Sequence, residues 1–234
     1  VNLYYPETNH NSVLETDINW HTIAISPDMR YVAVVPDTDL YPSTLCLFDL
    51  ETDAKELKSL YISTTGEGDG VLADYADILD WSNNGGLLIY DCCYSANLPG
   101  GETQTTWGMF ATTIESENAV SLFSASPDYS VGNPAFSNTR DNVIAFDYLE
   151  NDGSGYYVCT YDLFSGELGI IHQNVNTMGH PCFSPDDSKI VLQDYNSDDK
   201  YFLAQIELES DGLRGKSSTY TPWVQPVKWP IWYA

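Results

Sequence analysis

A unit written four times over constrains this chain more than any other feature. Each copy is a large apolar residue, a serine, a run of turn formers and then an apolar stretch of strand length. The copies are Ile25-Ser26-Pro27-Asp28-Met29-Arg30, Trp81-Ser82-Asn83-Asn84-Gly85-Gly86, Phe136-Ser137-Asn138-Thr139-Arg140-Asp141 and Phe183-Ser184-Pro185-Asp186-Asp187-Ser188. Proline at the second turn position, with Ser and Asp side chains that bond nearby amides, is turn chemistry. Each copy therefore predicts strand, tight turn, strand, and the stretch from Gly179 to Gln193 is the fullest version. Successive serines lie 56, 55 and 47 residues apart, near the period of about 40–50 residues of a four-stranded propeller blade. Val32, Leu88, Val143 and Ile190 each stand six residues after their serine, which predicts one common hairpin register.

A third strand repeats behind the hairpin and makes Cys46, Phe110, Cys159 and Ala204 equivalent; a fourth follows, as at Lys55–Leu60 and Glu167–His172. The expected fold class is all-β: a β-propeller of four-stranded antiparallel blades at about 19–62, 76–123, 131–173 and 178–220, in one domain over 1–234. Residues 224–234 are expected to give the first strand of a further, partial fifth blade, because Trp229 stands 46 residues after Phe183. Residues 1–16 are the candidate closing strand. Two arrangements stay open: a ring closed by its two ends, since open sheet edges invite aggregation, or part of a larger propeller. The composition agrees, with 43% apolar residues and 17 Tyr, 8 Phe and 6 Trp against 9 Lys plus Arg. Aromatic packing fills such an interior and favours strands.

At Ser26-Pro27-Asp28 and Ser184-Pro185-Asp186, and in degenerate form at Ser82-Asn83-Asn84-Gly85 and Ser137-Asn138-Thr139, the chain resembles the TolB-like, WD-related family of β-propellers. The likeness runs from about Asn19 to Trp229. The glycine that follows Pro-Asp in that family is Met29 in one copy and Asp187 in the other. The resemblance implies fold more than function, since such repeats occur in periplasmic interaction proteins, in gating domains of serine peptidases and in some lyases.

The formal charge of −25 argues against nucleic acid or anionic membrane as a partner, because phosphate binding takes clustered Lys and Arg. It suits a solvated surface, cation binding being the other reading. No apolar run is long enough to cross a bilayer, and Val1–Pro6 does not read as a signal peptide, so any signal is expected to be removed or to lie outside this chain. Cys46, Cys92, Cys93, Cys159 and Cys182 follow no zinc or redox spacing and are read as small buried thiols. Neither GxSxG nor HExxH occurs, and Gly215-Lys216-Ser217 lacks the glycine that a phosphate loop needs upstream.

In the family's geometry, the loops entering the first strands and those joining second to third strands share one face beside the central channel. His21, Asp77, Asn133, His180 and Gln225 stand at or near the starts of successive first strands. They are candidates for ligands at the channel mouth, where two His with carboxylate and amide oxygens form a donor set for a divalent metal. His21 and Asp77 lie five residues before their serine but Asn133 and His180 four, which puts them on alternating faces; ordinary polar lining is the other reading. The acidic stretches Asp37–Asp39, Asp147–Gly153 and Asp194–Asp199 are read as second-to-third strand loops. Asp194, Asn196 and Asp198 copy the start of a calcium loop, without its turn glycine or closing glutamate. Tyr94, Trp107, Tyr129, Tyr148 and Trp223 are read as connector aromatics, for blade packing or for recognition.

The leading expectation is a non-catalytic scaffold, extracellular or periplasmic, that binds another protein or assembles into a larger structure. The alternative is the propeller part of an enzyme: the gating domain of a serine peptidase or a metal-dependent polysaccharide lyase. No cofactor is implied beyond calcium.

Overall fold

The computed structural model describes residues 2–5, 10–13, 20–36, 44–52, 58–61, 74–97, 101–116, 119–174, 177–195 and 200–224. β1 (Asn2–Tyr5) and β2 (His10–Val13) pair with each other as an antiparallel ribbon. Four antiparallel sheets of four strands follow. The first is β3 (Trp20–Ile25), β4 (Tyr31–Pro36), β5 (Thr44–Asp49) and β6 (Lys58–Tyr61). The second is β7 (Tyr75–Trp81), β8 (Leu88–Asn97), β9 (Thr103–Thr112) and β10 (Val120–Phe123). The third is β11 (Tyr129–Phe136), β12 (Val143–Glu150), β13 (Tyr156–Asp162) and β14 (Leu168–Asn174). The fourth is β15 (Cys182–Phe183), β16 (Lys189–Tyr195), β17 (Tyr201–Glu207) and β18 (Thr221–Val224). Every strand in these sheets pairs with its neighbour in sequence, as in propeller blades.

The turn that recurs in the sequence is built alike in three sheets. Ser26, Ser82 and Ser184 accept the amide of the residue five positions on through Oγ, at 2.9, 2.9 and 3.0 Å. Each Oγ donates to the Asp28, Asn84 or Asp186 side chain two positions on, at 2.5, 3.0 and 2.8 Å. The next residue closes the turn with φ > 0: Met29 at 59°, Gly85 at 70° and Asp187 at 53°. That left-handed backbone is what the family's glycine supplies without steric cost.

The third hairpin departs from the expected register. Ile25 pairs with Val32, Trp81 with Leu88 and Phe183 with Ile190, but Phe136 pairs with Ile144. Its turn holds one residue more, so the counterpart of Val32, Leu88 and Ile190 is Ile144 and not Val143. With that adjustment, Cys46, Phe110, Cys159 and Ala204 sit opposite Val34, Tyr90, Phe146 and Leu192, one position in four sheets. All four are buried.

Because strand side chains alternate, each sheet gives one face to each neighbour. Ala33, Val35, Leu45 and Leu47 pack on Leu79, Trp81, Tyr90 and Phe110. Ile89 and Met109 meet Ile144, Phe146 and Cys159 across the second junction. Val143, Ala145 and Val158 meet Ile190, Leu192, Phe202 and Ile206 across the third. Val32, Val34, Cys46 and Phe48 form a fourth cluster on the face of the first sheet turned away from the second. The first strands touch in succession, β3 with β7, β7 with β11 and β11 with β15, so they lie on the inner side and the fourth strands outside.

Strand ends differ from the loop reading in three places. Asp147–Glu150 belong to β12 and Asp194–Tyr195 to β16, not to acidic loops. Val224, expected to open a further blade, is the last residue of β18 and pairs with Leu203. Tyr94, Trp107, Tyr129, Tyr148 and Trp223 lie in strands rather than connectors; Tyr129 stacks on Tyr148, and Trp223 is exposed. All five cysteines are free, and four are fully buried. Burial raises the Cys46 and Cys93 thiols to about 11 and Cys159 to about 12, which keeps them protonated and unreactive.

Candidate functional site

Four of the five residues expected at the channel mouth are described, and the structure links them in one chain along the inner strands. Gln225 lies outside the described residues. His21, on β3, meets Asp77, on β7, through Nε2 at 2.8 Å from Oδ1, and both side chains are more than two-fifths exposed. Tyr75 stands edge-on to His21, and Trp107 edge-on to Tyr75.

Asp77 is joined to Asn133 by a residue that sequence reasoning passed over. Asp91, on β8, accepts the amides of Asp77 at 3.2 Å and Ile78 at 2.8 Å on Oδ1, and that of Asn133, in the next sheet, at 2.8 Å on Oδ2. Asn133 is joined in turn to His180 by Asp147, on β12. Asp147 accepts the Asn133 side-chain amide at 2.8 Å and the His180 amide at 2.9 Å on Oδ2, and the Gly179 amide at 2.7 Å on Oδ1. Asn133 and His180 both have positive φ, 53° and 44°. They are equivalent left-handed corners, each held by a carboxylate from the sheet before it. Their main-chain amides are what those carboxylates accept.

Register places Val35, Asp91, Asp147 and Gln193 at one position, three residues after Val32, Leu88, Ile144 and Ile190. An aspartate inside an otherwise apolar strand was the available signal. The extra residue in the third turn hid it by shifting Asp147 one place out of line with Asp91.

These carboxylates are deeply buried. Removal from water raises Asp91 to about 7 against the pull of the Ile78 and Asn133 amides, and Asp147 to about 6 against those of His180 and Gly179. Asp80 rises to about 6 by the same burial, while its oxygens accept the Phe136 amide across the junction and its neighbour's, that of Trp81. Such values in an open cleft would suit a general acid. Here the acceptor oxygens face main-chain N–H groups, so the arrangement fixes one sheet on the next.

Asp194 has a different setting from the calcium reading. It lies on the face of β16 turned to the third sheet and is buried. Its Oδ2 takes the Tyr220 hydroxyl at 2.6 Å and stands 3.1 Å from His172 Nε2, while Oδ1 accepts the Tyr195 amide at 2.7 Å. His172 and Tyr220 stack with centroids 4.6 Å apart. Asn196 and Asp198 lie outside the described residues. Among the described residues there is no group of three or more His, Cys, Asp or Glu placed to hold a metal ion, and no helix is long and apolar enough to cross a membrane.

No family model and no curated protein matches the chain. Solved structures do match in fold. TolB from Acinetobacter baumannii superposes with TM-score 0.57 at 16% identity, over 90% of this chain and 46% of that one. Dipeptidyl peptidase 4 from Porphyromonas gingivalis gives 0.57 at 13% identity, over 90% of this chain and 34% of that one. A prolyl endopeptidase gives 0.58 at 12% identity, over 92% and 31%. The chain thus spans about half the length of TolB and a third of the peptidases. Identities this low speak for architecture alone, and with four four-stranded antiparallel sheets in sequence order they establish that this chain has the TolB-like β-propeller fold.

Proposed function

We propose that this chain is a non-catalytic propeller scaffold that binds a basic protein partner through its acidic surface, in an extracellular or periplasmic setting. The observation that carries the reading is the use made of the inner polar residues. Asp91 and Asp147 are committed to main-chain amides and, for Asp147, the Asn133 side chain as well, which leaves the exposed His21–Asp77 pair and its Tyr75–Trp107 wall as the recognition feature at that rim. A surface of net charge −25 favours a Lys- and Arg-rich partner and speeds encounter with it. The fold shared with TolB supports a scaffold, and the peptidase likenesses keep the enzyme-domain alternative as the reading to test against.

Cross-linking of the purified chain in an extract of its native compartment, followed by titration of the captured protein, tests this. The expected result is a salt-sensitive complex weakened about tenfold by Asp77→Ala. Turnover of a polyuronate by the purified chain, abolished by His21→Ala, or capture of a serine peptidase domain in place of a basic partner, would instead favour the enzyme reading.

A further inference from the structure

Of the four outer strands, β14 is the one whose edge is left open to pairing. β6, β10 and β18 have four residues each, and β6 carries Lys58 and β18 Pro222. Short edges, lysine and proline are what keep a sheet from taking on further strands. β14 has seven residues, Leu168-Gly169-Ile170-Ile171-His172-Gln173-Asn174, with no lysine, proline or carboxylate. It is last in its sheet, and no strand lies beside its far side among the described residues.

The hairpin that leads into β14 fixes which of its main-chain groups point outward. The Asp162 amide donates to Glu167 O at 3.0 Å, which makes these two the bonded pair next to the turn. Bonded and non-bonded pairs alternate in an antiparallel ladder. Leu168–Tyr161 is therefore non-bonded, Gly169–Thr160 bonded and Ile170–Cys159 non-bonded. The N–H and C=O groups of Leu168 and Ile170 thus face away from β13. Their side chains are uncovered as well, 49% and 60% exposed, and Phe164 in the preceding turn is 82% exposed. Outward main-chain donors and acceptors beside exposed apolar side chains are the elements of strand addition. An antiparallel neighbour exchanges both bonds with each such residue and sets its side chain beside theirs.

Charge selects the occupant. Glu167 stands at the head of the edge, and the connection from β17 to β18, with Glu209 and Asp211, packs against Gly169 through the Leu213 carbonyl. Its cations are already bound, Arg214 to Glu167 and Asp211 and Lys216 to Glu207. Four carboxylates against two bound cations leave an acidic flank, which favours lysine or arginine. A second copy of this chain would bring another −25 to the same edge.

We infer that the outer edge of β14 takes an extended segment of another protein as an antiparallel fifth strand of this sheet. The segment bonds to the main-chain groups of Leu168 and Ile170, places apolar residues opposite them and carries Lys or Arg in between. This surface goes beyond the His21–Asp77 rim and uses none of its residues.

A short peptide of alternating lysine and valine, added to the full ¹⁵N-labelled chain, tests this by amide hydrogen exchange. The expected result is Leu168 and Ile170 amides slowed at least about tenfold, with Gly169, already bonded within the sheet, unchanged. Ile170→Pro removes an N–H that the ladder does not use, so it should keep the fold and abolish the slowing at Leu168. Should that variant not fold, Ile170→Lys, a change of an exposed side chain to an edge-blocking one, should weaken the peptide about tenfold. Fast exchange at both amides with peptide present overturns the inference. So does equal slowing by a peptide with N-methylated valines, which would leave charge as the whole effect. Slowing without peptide that grows with protein concentration would assign the edge to a second copy, and its loss in Asp77→Ala would assign the peptide to the rim; either result overturns the inference.

Discussion

Ser137 has threonine two positions on, where Ser26, Ser82 and Ser184 have Asp28, Asn84 and Asp186 to accept their hydroxyls. The missing acceptor comes from the next sheet. Asp187 takes the Ser137 hydroxyl at 2.5 Å, the Asn138 and Thr139 amides at 2.8 Å each, and the Thr139 hydroxyl. Asp141 makes the smaller version of this contact, accepting the Asn84 amide at 2.9 Å, and Gly85 lies beside Pro27 and Ser26 with no side chain to offer. Asp187 therefore accepts a left-handed backbone, at about 1–2 kcal/mol, in exchange for a buried contact between blades. Asp187→Ala should lower stability in urea by about 2–4 kcal/mol, since it strands two hydroxyls and two amides. Asp187→Gly should be milder by about 1 kcal/mol, because it removes the same bonds but relieves the backbone.

At the scale of elements, the fourth sheet sends out an excursion between β17 and β18 that docks on the third. Leu208 bridges to Gly215, and the Leu213 carbonyl accepts the buried Thr160 hydroxyl at 2.7 Å. Gly169 pairs with Thr160 across the β13–β14 ladder, and a Cβ there would collide with the Leu213 carbonyl oxygen. Gly169→Ala should cost about 1–3 kcal/mol through overpacking, seen as a lower melting temperature with unchanged far-ultraviolet dichroism. Much at this scale was legible in the sequence. The turns and third-strand repeat follow from local chemistry and a period of two, and they place Cys46, Phe110, Cys159 and Ala204 in one register. What sequence spacing concealed was the extra residue after Ser137. It left the hairpin's appearance intact while moving Asp147 out of line with Asp91, and so an interior clip read as a loop acid.

Across the whole molecule, the buried Asp91 and Asp147 and the part-buried Asp80 give stability an unusual pH dependence. Asp80, Asp91 and Asp147 titrate near 3.8 when unfolded and at about 6, 7 and 6 when folded. Between these values the folded chain binds protons that the unfolded chain has released, so this contribution is complete below about 3.8 and is lost as pH rises through 6–7. Self-repulsion of a chain with net charge −25 acts in the same direction. Calorimetry should give a melting temperature several degrees higher at pH 5 than at pH 8, and Asp91→Asn should flatten the slope. A melting temperature that rises toward pH 8 would show that the amide donors outweigh burial at these sites.

The sequence alone determined the repeated hairpins, the all-β class and the residues of three of the four turns, because at Ser26, Ser82 and Ser184 the turn closes with partners no more than five residues away. Only the tertiary structure decided which carboxylates join the blades and that His21 meets Asp77. Those contacts link residues 32 to 56 positions apart, and they exist only once twisted sheets pack face to face and bring the end of one blade's second strand to the first corner of the next.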